Sequence, residues 1–356
     1  MDLSPLARML IILGVLLVLL GVVILVNSAI GPAGRLIGTI PPQKGKLMNV
    51  AIIGCGNISQ SHIAGWQRVD GARITVLCDP VLASAREKQQ KYGLQDARIT
   101  TDLAETLQSD AEAVSVCAPT ALHAEVTLKA LRAGKHVLCE KPMAMNAAEA
   151  RRMVEAARAS GKVLLIDHRY LYDPLIQAVL QNLDKLGKVF WFRIRSGHAL
   201  PLGPGICKTG CLLDMGYHPL YTALEIMGPA VRVSAFRKQL VRPECSDDNG
   251  LVVLEHAAGM SILESSFSTP GPMGCNRPVE VYGSEGVIIA NWFPRAYAHL
   301  FIKDQKTELP IQGTGWNIGL VQHFATCIRG DAAPISGPEK GLATMELQDR
   351  VAAAAQ

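Results

Sequence analysis

The 356-residue chain has no basic tract and no interleaving of basic with aromatic side chains, and Phe, Trp and Tyr together make up 5% of it. A nucleic-acid groove needs clustered Lys and Arg beside rings for base stacking, so a nucleic-acid partner is excluded. The formal charge is a mild +4. No disulfide framework is present either. Nine cysteines, an odd number, stand at 55, 78, 117, 139, 207, 211, 245, 275 and 327 without a framework spacing. The first four fall in or beside predicted core strands, where cysteine acts as a small hydrophobe. A reducing compartment is the simplest reading. Cys207 and Cys211, taken with Asp214 and His218, match no common zinc spacing, so no metal is expected. Internal repeats and low-complexity tracts are absent.

One long apolar run is present. Met9 to Val26 is uncharged over 18 residues, just enough to span a bilayer as a helix. Arg8 precedes it, and Arg35, Lys44 and Lys46 follow. The positive-inside bias therefore predicts a single-pass anchor with the rest of the chain in the cytoplasm. A secretory signal peptide fits less well, because the core is long, Asn27-Ser-Ala29 is a poor cleavage site and no twin-arginine pair precedes it. Met48 is also a plausible start for a complete soluble protein. Residues 1–30 are read as the membrane segment and 31–47, rich in Gly and Pro, as a linker.

From residue 48 the pattern changes. Val50-Ala-Ile-Ile-Gly54-Cys-Gly56-Asn57-Ile58-Ser59 reads as a buried strand, a glycine turn and a helix start, and Asp79 follows Gly54 by 25 residues. Gly54 permits the tight turn. Gly56 lets a pyrophosphate approach the backbone. The helix N-terminus with Asn57 and Ile58 offers free N–H groups to that anion. Asp79 closes a second strand, where its carboxylate can accept hydrogen bonds from a ribose 2′-OH. The third glycine of the usual fingerprint is missing, but Ser59 is small enough for close helix–strand packing. Asp79 repels a 2′-phosphate, so the expected cofactor is NAD, with NADP possible through Arg86.

Short apolar runs at 50–53, 74–78, 113–117, 136–139 and 163–166 alternate with helical patterns at 61–69, 82–91, 121–133 and 147–159. Such alternation means βαβ units and a parallel sheet. Asn146, with Glu149 three residues later, marks a helix start. After Pro174 longer strands are expected at 189–196, 231–241, 251–256, 260–268, 279–282 and 287–292, and helices at 318–329 and 340–354. The fold class is α/β. A Rossmann domain over 48–168 precedes an α/β domain over 169–356 with a mostly antiparallel open sheet.

Ligands collect at the C-terminal strand ends of open α/β sheets. Pro119, Thr120, His123, Glu140 and Lys141 all fall on that rim and are expected to bind the cofactor, around its nicotinamide half. Together, Gly54-Cys-Gly56-Asn-Ile58, Pro119-Thr-Ala-Leu-His123, Gly134-Lys-His-Val-Leu-Cys-Glu140-Lys141-Pro142, His168-Arg169-Tyr170 and Asp214-Met-Gly216-Tyr-His218 resemble the Gfo/Idh/MocA oxidoreductase family over about 49–356. One departure is Thr209-Gly210-Cys211, where a Gly-Gly run is usual; it leaves the pocket shape near Cys211 open.

The resemblance implies a dehydrogenase of a sugar, inositol or related polyol, with a homo-oligomer (dimer or tetramer) built on the open sheet. It makes Lys141, Asp214 and His218 the catalytic set. His218 is the candidate base, since imidazole titrates near neutrality. Asp214 would orient it or hold a substrate hydroxyl, and Lys141 would stabilise a developing alkoxide. His123 reads as a structural or cofactor-shaping residue. His168, Arg169 and Tyr170 are candidates for facing substrate, with packing between the domains an equal reading for His168 and Arg169. Two other readings stand beside this one. One is redox-assisted glycoside hydrolysis with transient use of NAD. The other is a non-catalytic dinucleotide sensor, which would have no need of a proton-transfer set.

Overall fold

The computed structural model describes residues 47–199, 201–202, 204–269, 278–293 and 295–355. The apolar run 9–26 and residues 31–46 of the linker lie outside them. Among the described residues no helix is long and apolar enough to cross a membrane.

The first sheet has β1 (Met48–Ile53), β2 (Ala72–Cys78), β3 (Arg98–Thr100), β4 (Ala113–Val116), β5 (His136–Cys139) and β6 (Leu164–Ile166) in the spatial order 3-2-1-4-5-6. Every neighbouring pair is parallel. Strands buried on both faces read as unbroken apolar runs, and β4, β5 and β6 are buried almost throughout. The connecting helices are α1 (Ser59–Trp66), α2 (Leu82–Lys91), α3 (Leu103–Gln108), α4 (Thr120–Arg132) and α5 (Ala147–Ser160). The predicted start of α5 is present: the Asn146 side chain accepts the Glu149 N–H at 2.9 Å, and Glu149 accepts the Met145 N–H at 3.1 Å.

A 3-10 turn, Arg169–Tyr172, leads into α6 (Pro174–Leu180) and the second sheet. Its strands are β7 (Val189–Gly197), β8 (Ala230–Lys238), β9 (Asn249–His256), β10 (Gly259–Ser266), β11 (Pro278–Gly283), β12 (Val287–Asn291), β13 (Tyr297–Ile302) and β14 (Gln305–Glu308). They run in the order 14-13-12-11-7-10-9-8. Only the β7–β10 pair is parallel. Between β7 and β8 the chain forms α7 (Pro204–Thr209), α8 (Cys211–Asp214) and α9 (Tyr217–Met227). The inward residues Phe192, Ile194, Val252, Leu254, Val279, Val281 and Ile288 meet Leu220 and Ala223 of α9 in one core. The strand residues Phe236, Leu251 and Met260 remain exposed.

The last two helices, α10 (Trp316–Arg329) and α11 (Pro338–Ala354), return to the first sheet's layer. The Trp66 and Phe324 rings meet edge-on at 5.9 Å. A Cβ on Gly65 would lie 2.6 Å from Val321, so glycine permits that close crossing of α1 and α10.

Candidate active site

The glycine turn joins β1 to α1 at the point where the strand order reverses, between β1 and β4. Gly54 has φ +91°, and a Cβ there would lie 2.6 Å from the Cys117 carbonyl carbon and oxygen. Gly56 is exposed, and a Cβ on it would meet nothing within 4 Å. That open space is what an approaching pyrophosphate uses. No side chain caps α1; the Gln60 and Ser61 N–H groups turn back to the Asn57 and Ile58 carbonyls at 3.3 and 3.0 Å, which leaves the turn amides ahead of them to meet an anion. The Ser59 hydroxyl donates to the Gly56 carbonyl at 2.6 Å, which ties the turn to the helix. Asp79 accepts the Cys55 N–H at 2.6 Å and the Val81 N–H at 2.8 Å. Each bond uses one lone pair of one carboxylate oxygen, and the other lone pairs can still meet a ribose. These residues fit a dinucleotide.

Pro119 and Thr120 stand where β4 turns into α4, whose N-terminus is likewise uncapped. His123 is buried. Its ring nitrogens lie 2.7 Å from the Pro142 carbonyl oxygen and 2.8 Å from that of Ala118. It braces two rim loops against each other, as a structural residue does, and does not project into the cleft.

Glu140 and Arg169 depart from expectation. The Glu140 side chain is not turned to the cofactor. Its carboxylate takes the Lys141 N–H at 3.0 Å, His62 Nε2 at 3.1 Å and Arg169 at 3.2 Å. Arg169 also reaches Asp167 at 2.9 Å and lies 4.4 Å from the centre of the Trp316 ring. It does not offer its guanidinium to substrate. Burial alone would raise the Glu140 carboxyl, but Arg169 and His62 outweigh it and hold it well below its usual range. Burial pushes the neighbouring Asp167 up. Charges this deep persist only when paired, so the network's role is to fix the strand end from which Lys141 projects. His168 is buried too. Its Nε2 meets the Tyr217 hydroxyl at 3.1 Å and its ring stacks on Tyr221 at 4.2 Å, so it packs between layers and does not face substrate.

Lys141 reaches across to the second domain. Its Nζ lies 3.2 Å from Asp214 Oδ1 and 3.3 Å from the Asp214 carbonyl oxygen. Asp214 ends α8 and His218 opens α9, four residues on. The His218 ring is stacked on Tyr170 at 4.7 Å, which places Tyr170 beside the candidate base. His218 Nδ1 meets the Tyr221 hydroxyl at 2.9 Å; that hydroxyl also accepts the Tyr170 N–H at 3.0 Å. Nε2 has no hydrogen-bond partner among the described residues. Burial first, then the Lys141 charge, lowers the His218 pKa well below its ordinary 6.5. The ring is therefore neutral near pH 7, as a base must be. The helix begins at Tyr217, and Gly228 (φ +76°) ends it.

Tyr221, Asp167 and His62 were not singled out in the sequence. Tyr221 could have been found, because residues three apart share a helix face and its hydroxyl falls under His218. His62 carried no signal. At the departure near Cys211, Gly210 has φ +85°, and a Cβ there would lie 2.0 Å from Asp247 Oδ2. The following Cys211 turns inward, into a cluster with Cys207, Met215, Cys245 and Phe267.

Residues 48–168 match the oxidoreductase family with an NAD-binding Rossmann fold, and residues 176–289 match the GFO/IDH/MocA C-terminal domain. The chain is 32% identical over 249 residues to D-glucoside 3-dehydrogenase of Escherichia coli (strain K12), covering 62% of this chain and 70% of that one. It is 25% identical over 319 residues to D-apiose dehydrogenase of Paraburkholderia graminis, covering 83% and 84%. Among solved structures, GenD2 from gentamicin A biosynthesis in complex with NAD shares the fold at a TM-score of 0.76 and 22% identity, covering 91% of this chain and 97% of that one.

Proposed function

From the premise that the chain belongs to the Gfo/Idh/MocA oxidoreductase family and is an NAD(P)-dependent dehydrogenase, we propose that its substrate is a sugar, inositol or related polyol, oxidised at a secondary hydroxyl. The observation that carries this reading is the Lys141–Asp214 contact across the two domains, with neutral His218 one helical turn beyond. A bound nicotinamide would supply the hydride acceptor for the carbinol carbon. His218 Nε2 accepts the hydroxyl proton. The Lys141 ammonium donates a hydrogen bond to the oxygen as negative charge develops there. Asp214 holds that ammonium in place. Gly56, Asn57 and Ile58 would hold the pyrophosphate, Pro119 and Thr120 at the α4 start would border the nicotinamide half, and Asp79 favours NAD over NADP.

The test is to titrate the protein with NADH and NADPH, then to screen sugars, inositols and nucleotide-sugars for NAD reduction. Tight NADH binding with one polyol giving stoichiometric NADH is the expected result. Product without net NADH would reassign the site to redox-assisted hydrolysis, and binding with no turnover of any compound would favour a sensor. The pH dependence gives a second check. A lowered pKa keeps His218 unprotonated below 6.5, so the acid limb of kcat/KM for oxidation should fall clearly below that value. A limb attributable to His218 at or above 6.5 would remove it as the base.

The same reading makes the exposed face of the second sheet, with Phe236, Leu251 and Met260, the contact of a homo-oligomer. Light scattering that shows a monomer would contradict this. Residues 9–26 are read as a membrane anchor with the enzyme on the cytoplasmic side. Protease protection in right-side-out vesicles should shield the enzyme domain, and digestion there would reverse the topology.

A further inference from the structure

The nine cysteines follow no framework spacing, yet the fold brings two of them together from 38 residues apart. Cys207 on α7 and Cys245 in the β8–β9 connection are both buried, and their sulfurs lie 2.8 Å apart. Both are free thiols. The backbones are already fixed beside each other, because the Ser246 N–H donates to the Cys207 carbonyl at 2.9 Å. A disulfide bond is about 2.05 Å long, so only a short approach of the two sulfurs separates the thiols from a bond.

We propose that Cys207 and Cys245 are a covalent modification site, a dithiol that a hydroperoxide oxidises to an intramolecular disulfide. The Cys245 thiolate attacks a peroxide oxygen: the S–O bond forms, the O–O bond breaks, and hydroxide leaves to take up the released proton as water. The Cys207 thiolate then attacks that sulfur: the S–S bond forms, the S–O bond breaks, and a second water departs. Two sulfurs are oxidised by two electrons in all and one peroxide is reduced. In reducing surroundings the pair rests as thiols, and a small thiol reverses the bond by exchange.

The position of the pair gives the bond a consequence. Asp247, two residues after Cys245, caps the helix that carries Asp214. The Asp247 carbonyl accepts the Cys211 N–H at 3.1 Å, and its carboxylate accepts the Leu212 N–H at 2.8 Å. A Cys207–Cys245 bond therefore fastens the segment that presents Asp214 to the edge of the second sheet. Burial, then the adjoining Cys207 sulfur, pushes the Cys245 thiol up. The thiolate is the nucleophile, so oxidation should speed up as the pH rises.

The test uses the full chain treated with hydrogen peroxide and needs no substrate. The expected product is two hydrogen masses lighter, titrates two fewer than its nine thiols, and yields a peptide joining Cys207 to Cys245. Its Tm rises by a few degrees, and a small thiol reverses every change. Neither C207S nor C245S should form the cross-link. Three outcomes would overturn the proposal: oxygen adducts on a single cysteine, a different pairing such as one with Cys275, or stoichiometric zinc on these two sulfurs with Glu244, whose carboxylate is within reach. Because the mapping is done on the unmodified sequence, an unstable variant does not blur the answer. Failure here leaves the dehydrogenase reading untouched.

Discussion

Replacing Lys141 by alanine is expected to lower kcat by about 10²–10⁴-fold while NADH affinity falls by less than about tenfold. The ammonium sits 3.2 Å from Asp214 at the end of a strand held by the buried Glu140–Arg169–His62 network, so its position is fixed before substrate arrives. Preorganised charge of this kind acts on the transition state more than on the ground state, hence the effect on kcat. A second readout separates this role from a merely structural one. The Lys141 charge helps to lower the His218 pKa. Removing it should raise that pKa and move the acid limb of the oxidation profile to higher pH. Near-normal turnover of an identified polyol by the variant, or an unmoved limb, would sink the assignment.

The two glycines of the turn should respond to alanine in opposite ways. Gly54→Ala places a Cβ 2.6 Å from the Cys117 backbone at a φ of +91°. Backbone cannot move aside as a flexible side chain can, and the cost should be about 3–5 kcal/mol of stability. It would be read as a lower urea midpoint with unchanged slope. Gly56→Ala adds its methyl to open space, so stability should stay within about 1 kcal/mol of the parent. The methyl fills the place of the pyrophosphate, and the Kd for NADH should rise about tenfold or more. If Gly56→Ala bound NADH normally, the dinucleotide would lie elsewhere.

The contrast between what was legible and what was not follows from the range of the forces involved. β5 and α2 have the bounds expected of them, because a doubly buried strand and a ten-residue helix announce themselves locally. β3, only Arg-Ile-Thr, and β14, Gln-Lys-Thr-Glu with every residue exposed, carry no apolar pattern at all. They are edge strands held by backbone pairing to a neighbour. β13 went unread for a different reason: both faces carry apolar residues, so Tyr297–Ile302 lacks clean alternation. At the site, the glycine turn and Asp79 were readable from spacing alone. The Lys141–Asp214 pair, 73 residues apart, was accessible only through family resemblance. The inward turn of Glu140 and Arg169 was not accessible, because it depends on His62 and Asp167 arriving from two other elements.

The return of α10 and α11 to the first layer has a consequence for how the molecule is made. The inner side of α1, with Gly65 and Trp66, is covered by Val321 and Phe324, which follow the whole second sheet in the sequence. An N-terminal domain usually completes its core while the rest is still being synthesised. Here the nucleotide-binding half cannot bury Trp66 against Phe324 until α10 has been made, after every strand of the second sheet. A chain cut short of residue 316 would lack the helix that covers Trp66, so the cofactor cradle depends on sequence that lies beyond the second sheet.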